Sequence, residues 1–197
     1  MEYTASDVAA FLTKGESEVL EYRRDVSPKT LAKWISAFAN SHGGHILVGV
    51  DEDPRRYSVP TVVGVNPARL KSVYKTALKQ VNPQPQTVLS MVTVNDKTVG
   101  VIEVEKSDQL IMSEEGIFNA LGASVQAMEA SAIVAAIKKG DEQDSVKHLA
   151  EVVSQLTQTI EKLHKQIDDS GSWKRKTVDY ILGGIVGAVI GAIIGKL

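Results

Sequence analysis

Asp51 ends a short apolar run, Ile46-Leu47-Val48-Gly49-Val50, that follows the pair Gly43-Gly44. A carboxylate at the end of a buried strand, beside glycines that let other groups come close, is where an α+β domain commonly places chemistry. Asp51, Glu52, Asp53 and Pro54 are also turn formers, so the same letters read as the start of a loop. A second set of acids, Glu16, Glu18 and Glu21, surrounds the alternating run Val19 to Arg24. Glu21 and Arg23 fall on one side of that run, Leu20 and Tyr22 on the other. Glu16 lies an odd number of residues from Glu21, so the two converge only if Glu16 sits in the turn before the strand. Gly15 makes such a turn available; a solvated edge is the alternative. Lys71, Lys75 and Lys79 form a ridge at i, i+4 spacing with no acid among them, which suits a row of phosphates or plain solvent. Arg55 and Arg56, in a polar loop over 51–60, are further candidate phosphate contacts. His42 and His45 flank the glycine pair and are placed for proton transfer, although a lone histidine at a helix end commonly serves as a structural cap.

The elements that must position these residues follow from periodicity. Val8, Phe11 and Leu12 give a short N-terminal helix with its apolar side toward a core. Ser27-Pro28 is an N-cap followed by a proline at the first helical position, and Leu31, Trp34, Ile35 and Phe38 recur at helical spacing until Gly43-Gly44 stops the helix. Thr61 to Val65 reads as a short strand. Asn66-Pro67 opens a helix whose apolar face is Leu70, Val73, Tyr74, Ala77, Leu78 and Val81. Thr87 to Val94 and Thr98 to Glu105, joined at Asn95-Asp96-Lys97, form a hairpin. Ile117-Phe118 suggests another strand, and Met128 to Lys138 a closing helix with Ile133, Val134 and Ile137 inward. The expected fold class is therefore α+β, a mixed sheet with flanking helices over residues 1–140.

Composition changes after Gly140. Val146, Leu149, Val153, Leu156, Ile160, Leu163 and Ile167 keep alternating steps of three and four, a heptad seam with β-branched residues at a and leucine at d. That pairing favours two parallel strands and predicts a coiled coil over 141–169, hence a homodimer or higher homo-oligomer; an amphipathic helix packed on the domain is the alternative. A basic linker over 170–177 holds Trp173 and Lys174-Arg175-Lys176. The run Tyr180 to Gly195 then carries no charged side chain, and with its flanks it predicts a membrane-spanning helix over 178–197. Basic residues on its N-terminal side predict a single-pass C-terminal anchor with the head in the cytoplasm. Gly183, Gly187, Gly191 and Gly195 form a stripe that lets such helices touch.

Two stretches, GESEVLEYR from Gly15 and ISAFANSHGGHILVGVD from Ile35, resemble the Schlafen AlbA-type domain, also called AlbA_2 or divergent AAA-4. The likeness is to that family's E-S-x-x-x-E-[FY]-K element followed by A-F-A-N-[ST]-x-G-G-x-[IL]-x-[IV]-G-V-D, and the order of later elements agrees over about Ala5 to Gly140. The resemblance implies an α+β fold that binds nucleic acid, RNA favoured over DNA. In the Schlafen proteins proper it implies an endoribonuclease using three carboxylates and a divalent metal. Carried over by motif, the metal ligands and catalytic carboxylates are Glu16, Glu21 and Asp51, holding magnesium or manganese, with Arg23 in the place of the family's lysine. Where many relatives have R-x-G-S-S, this chain reads Ala120-Leu121-Gly122-Ala123-Ser124, which removes a positive charge. Eukaryotic Schlafens also use two such lobes in one chain, and this chain has one.

The 197 residues carry a formal charge of -2, so the total implies no strong polyelectrolyte partner. With four histidines and no cysteine, a Cys-based zinc or redox site and any disulfide framework are excluded. The N-terminal MEYTASDV is polar and acidic, unlike a secretory signal. Three functions compete at this stage. They are a membrane-anchored nucleic-acid-binding protein dimerised by its coiled coil, a metal-dependent endoribonuclease built on the same dimer, and a membrane-perturbing effector whose head senses a signal.

Overall fold

The computed structural model describes residues 3–52 and 60–138. The chain divides into two compact units, Met1–Glu129 and Ala130–Leu197, of which the second is described only at its first helix. Arg55 and Arg56, the expected coiled coil, the basic linker and the expected membrane helix lie outside the described residues. Among the described residues no helix is long and apolar enough to cross a membrane.

The first unit is built on one helix. Ser27 accepts a hydrogen bond from the amide of Thr30, and Pro28 occupies the first turn of α2, Pro28–Asn40. Eight of its thirteen residues are buried, so it is a core helix rather than a surface one with a single apolar stripe. Before it stand α1, Ala5–Lys14, opened by a reciprocal Thr4–Asp7 capping box, and β1, Leu20–Arg23. After it come β2, Gly44–Val48, β3, Val50–Asp51, and β4, Thr61–Val62. Asn66 caps α3, Pro67–Leu78. Then follow β5, Val81–Asn82, and the hairpin β6, Thr87–Val94, with β7, Lys97–Val104. Its turn has two residues, Asn95 and Asp96, both at positive φ (48° and 60°), which matches the twist of the flanking strands. Lys97, expected in the turn, is already in β7. The last strands are β8, Met112–Ser113, β9, Gly116–Leu121, and β10, Ser124–Ala127. Helix α4, Ala130–Lys138, opens the second unit.

The first sheet has the order β1-β2-β7-β6, with β1 and β2 parallel and the other pairs antiparallel. It is mixed, as the sequence predicts. The second, β10-β9-β8-β5, is antiparallel, and among the described residues β3 pairs only with β4. One core gathers Leu31, Ile35 and Phe38 of α2, Leu70 and Ala77 of α3, and Ile46, Val48, Ile102 and Val104 of the first sheet. The other face of that sheet carries Leu20, Tyr22, Leu47, Val99 and Val101, covered by Val8, Phe11 and Leu12 of α1.

Polar residues of α2 fasten the second sheet to it. The Asn40 amide donates to the carbonyls of Ile111 (2.8 Å) and Phe118 (2.9 Å) and accepts from the Ile111 amide (2.7 Å). Ser36 donates to the Ile111 carbonyl at 2.8 Å, and the Ala120 amide donates to Ser41 at 2.9 Å. The single strand expected over 46–50 is two strands, because Gly49 turns the chain at φ 98°. Its carbonyl accepts from the amides of Val63 and Gly64. Leu47 and Val50 consequently share one core although they are three residues apart, which unbroken alternation would forbid.

Candidate functional site

Glu16 stands in the bend between α1 and β1, after Gly15 at φ 73°. β1 is an edge strand. Its Val19 and Arg23 carbonyls accept from the amides of His45 and Gly49 on the inner side, so by alternation the Tyr22 amide faces outward. Glu16 accepts from that amide at 3.1 Å, closing a donor that an edge would leave open. The turn position needed for convergence with Glu21 is thus present.

Glu21 is 1% exposed and is the one charged residue in the described core. It pairs with Arg23, whose guanidinium carbon lies 5.3 Å from the centroid of the Trp34 ring. Glu21 Oε2 and Arg23 Nε are buried without hydrogen-bond partners. Burial pushes the Glu21 carboxyl up to about 8; the Arg23 guanidinium opposes the rise, and the carboxylates of Glu16 and Glu52, the first within side-chain hydrogen-bonding reach, add to it. Burial also raises Glu52, again with the Glu16 charge beside it. Glu16 therefore stands between Glu21 and Glu52 as the centre of an acid group.

Asp51 is placed differently. Its Oδ2 accepts from Arg24 Nη1 at 3.2 Å, with side-chain exposures of 40% and 71%, an exposed pair of the kind that contributes little to stability. The acids acting most strongly on Glu21 are Glu16 and Glu52, and Glu52 is the residue that sequence reasoning passed over. The turn at Gly49 is the cause, since it puts Val50 and Asp51 into a separate ladder instead of prolonging β2. Helical spacing marks Trp34 as a core residue, and nothing in the sequence couples it to Arg23.

Carboxylate oxygens are the right donors for magnesium or manganese, and the unpartnered Glu21 oxygen is the kind of group an ion would satisfy. As arranged, however, the side chains do not fit an ion: Arg23 holds one Glu21 oxygen, Arg24 holds Asp51, and among the described residues no three Asp, Glu or His side chains are gathered as an ion shell.

Lys71 and Lys75 on α3 and Lys79 at its C-cap are all exposed, and among the described residues none is in an ion pair. The opposite side of α3 is held by Leu70 and Ala77 in the core and by Tyr74, whose hydroxyl bonds Thr87 at 2.6 Å. His45 lies away from the acids. Its Nε2 is 2.8 Å from the Tyr3 hydroxyl, which donates to Glu103 at 2.7 Å. With that single hydroxyl proton spent on Glu103, His45 donates from Nε2. Burial lowers the His45 pKa, the Glu103 charge opposes this and Lys14 reinforces it. His42 is exposed.

A mixed sheet with a core helix behind it, a second sheet tied to that helix through Asn40, and an acid group at the open edge define an α+β domain with its candidate site on β1. Residues 16–129 match the family described as Schlafen, AlbA_2; this is more than half of the chain, and the protein belongs to that family. No curated protein matches it. Two solved structures are similar. One is the N-terminal domain of a putative ATP-dependent DNA helicase RecG-related protein from Nitrosomonas europaea, 22% identical, with TM-score 0.45, covering 53% of this chain and 74% of that one. The other is a Corynebacterium diphtheriae protein, 14% identical, with TM-score 0.48, covering 69% of this chain and 32% of that one.

Proposed function

We propose that the protein is a membrane-anchored nucleic-acid-binding protein whose AlbA_2 head binds RNA in preference to DNA. The observation that carries this reading is the ridge of Lys71, Lys75 and Lys79, exposed and without acidic partners among the described residues on a domain of this family. Ridge cations set about one helical turn apart neutralise successive phosphates and release counterions, so affinity falls steeply with salt. The test is binding of labelled RNA and DNA to the full chain across a salt series. Replacing the three lysines by glutamine lowers the slope of log affinity against log salt by roughly one per lost contact. No binding at low salt refutes the reading. Anchoring rests on the apolar run over 178–197, and carbonate extraction that releases the protein from membranes refutes it. Dimerisation rests on the heptad seam, and a chain that sediments as a monomer refutes that.

A second reading, a divalent-metal-dependent endoribonuclease using Glu16, Glu21 and Asp51 with Arg23, is favoured by the buried, unpartnered Glu21 oxygen beside Glu16. It requires Asp51 to leave Arg24. RNA that stays intact with manganese present, or cleavage that Asp51→Ala leaves unchanged, removes it.

A further inference from the structure

Among the described residues three buried side-chain atoms lack a hydrogen-bond partner, and two belong to one side-chain pair, Glu21 Oε2 and Arg23 Nε. A guanidinium with a buried, unspent donor needs some other force to hold it in place. For Arg23 that force comes from Trp34. Its ring centroid is 5.3 Å from the guanidinium carbon, a distance at which an indole attracts a cation. Trp34 is itself immobile, 4% exposed and set edge-on to Phe38 with centroids 5.3 Å apart. Glu21 engages Arg23 Nη2, yet 38% of the Arg23 side chain remains exposed. A guanidinium grips phosphate oxygens in its own plane, through parallel N–H bonds along one edge. The ring face constrains the guanidinium from one side, while part of the side chain stays open to solvent.

We infer that Trp34 is a positioning residue for nucleic acid: with its ring under the Arg23 guanidinium, it directs the exposed part of that group at a backbone phosphate. The inference rests on the nucleic-acid reading above and adds a contact on β1 to the lysines of α3. Lysine at position 23 keeps the charge but not the planar fork, so Arg23→Lys keeps the salt slope and lowers affinity, unlike Arg23→Gln.

The test uses the full chain with Trp173→Phe, which leaves Trp34 as the one indole of the two in the chain. Labelled single-stranded and hairpin RNAs are titrated across a salt series while Trp34 emission is followed. Arg23→Gln lowers the salt slope by about one, Trp34→Leu loses the same increment, and the double variant loses no more than either single one. Trp34→Phe, which keeps a ring, recovers most of the loss. RNA changes Trp34 emission in the parent and leaves it unchanged in Arg23→Gln. Melting is measured for each variant, and if Trp34→Leu does not fold, the emission arm and the Phe variant decide. Additive losses, failure of Phe to recover binding, or an emission change that survives Arg23→Gln overturns the role. Binding that ignores Arg23 sinks this inference alone, whereas a parent that binds no RNA sinks the nucleic-acid reading together with it.

Discussion

Replacing Glu21 by glutamine should change how the stability of the head depends on pH. In the folded protein the carboxyl is pushed up to about 8 from an ordinary 4.5, so the folded state holds a proton that the unfolded chain gives up. Stability from this group is complete below the ordinary pKa, declines as pH rises, and is lost once pH passes the folded value. At about 1.36 kcal/mol per pKa unit the loss approaches ~5 kcal/mol above pH 8, with about 3 kcal/mol of it present by pH 7. Relaxation around Arg23 reduces these upper figures. Glutamine imitates the protonated acid, since its carbonyl accepts from Arg23 and its amide donates toward Glu16. The variant is therefore close to the parent at pH 4 and more stable at pH 8. Urea unfolding of both chains from pH 4 to pH 9, followed by Trp34 emission in a Trp173→Phe background, measures the difference. Parallel stability curves, or a variant weaker than the parent at pH 8, would show that Glu21 is ionised in the fold and that its burial has been misjudged.

Asn40→Asp removes two donated hydrogen bonds and sets a carboxylate against two carbonyls, so urea unfolding should show a loss of about 3 kcal/mol or more, larger than for Asn40→Ala. A Cβ on Gly44 would lie 2.6 Å from the Val19 carbonyl oxygen, so Gly44→Ala should force β1 away from β2 and raise amide exchange in both strands. Tyr3→Phe deletes the hydroxyl that joins His45 to Glu103, at a cost of about 1 kcal/mol in thermal unfolding. His45, neutral through burial, contributes stability above its ordinary pKa that is lost as pH falls; by NMR titration its midpoint should lie below the ordinary histidine value.

Much of this architecture was legible in the sequence because periodicity and caps agree. Ser27-Pro28 and Asn66-Pro67 start the two helices where they were expected, and Asn95-Asp96 turns the hairpin. The second sheet was not legible beyond Ile117-Phe118. β8 has two residues and β10 four, too short for an alternation signal, and the bonds from Asn40 and Ser41 to Ile111, Phe118 and Ala120 leave no periodic mark in the sequence. At the site, the turn before β1 and the pairing of Glu21 with Arg23 on one side could be read. The neighbour of Glu16 could not, because one glycine at φ 98° changes which following residue faces which way, and alternation carries no notice of that.

Asn40 has a consequence for what the family signature can tell. By giving a hydrogen to the Ile111 carbonyl and taking one from its amide, the side chain does what a peptide group of a neighbouring strand would do. The helix thereby supplies a surrogate rung to a sheet it does not belong to. Of the letters that make the stretch recognisable, Ser36, Asn40 and Ser41 are spent on this joint and Gly44 on the passage of β1 beside β2. This part of the signature thus speaks for architecture, while the chemistry open to this chain lies with Glu16, Arg23, Trp34, Glu52 and the lysine ridge.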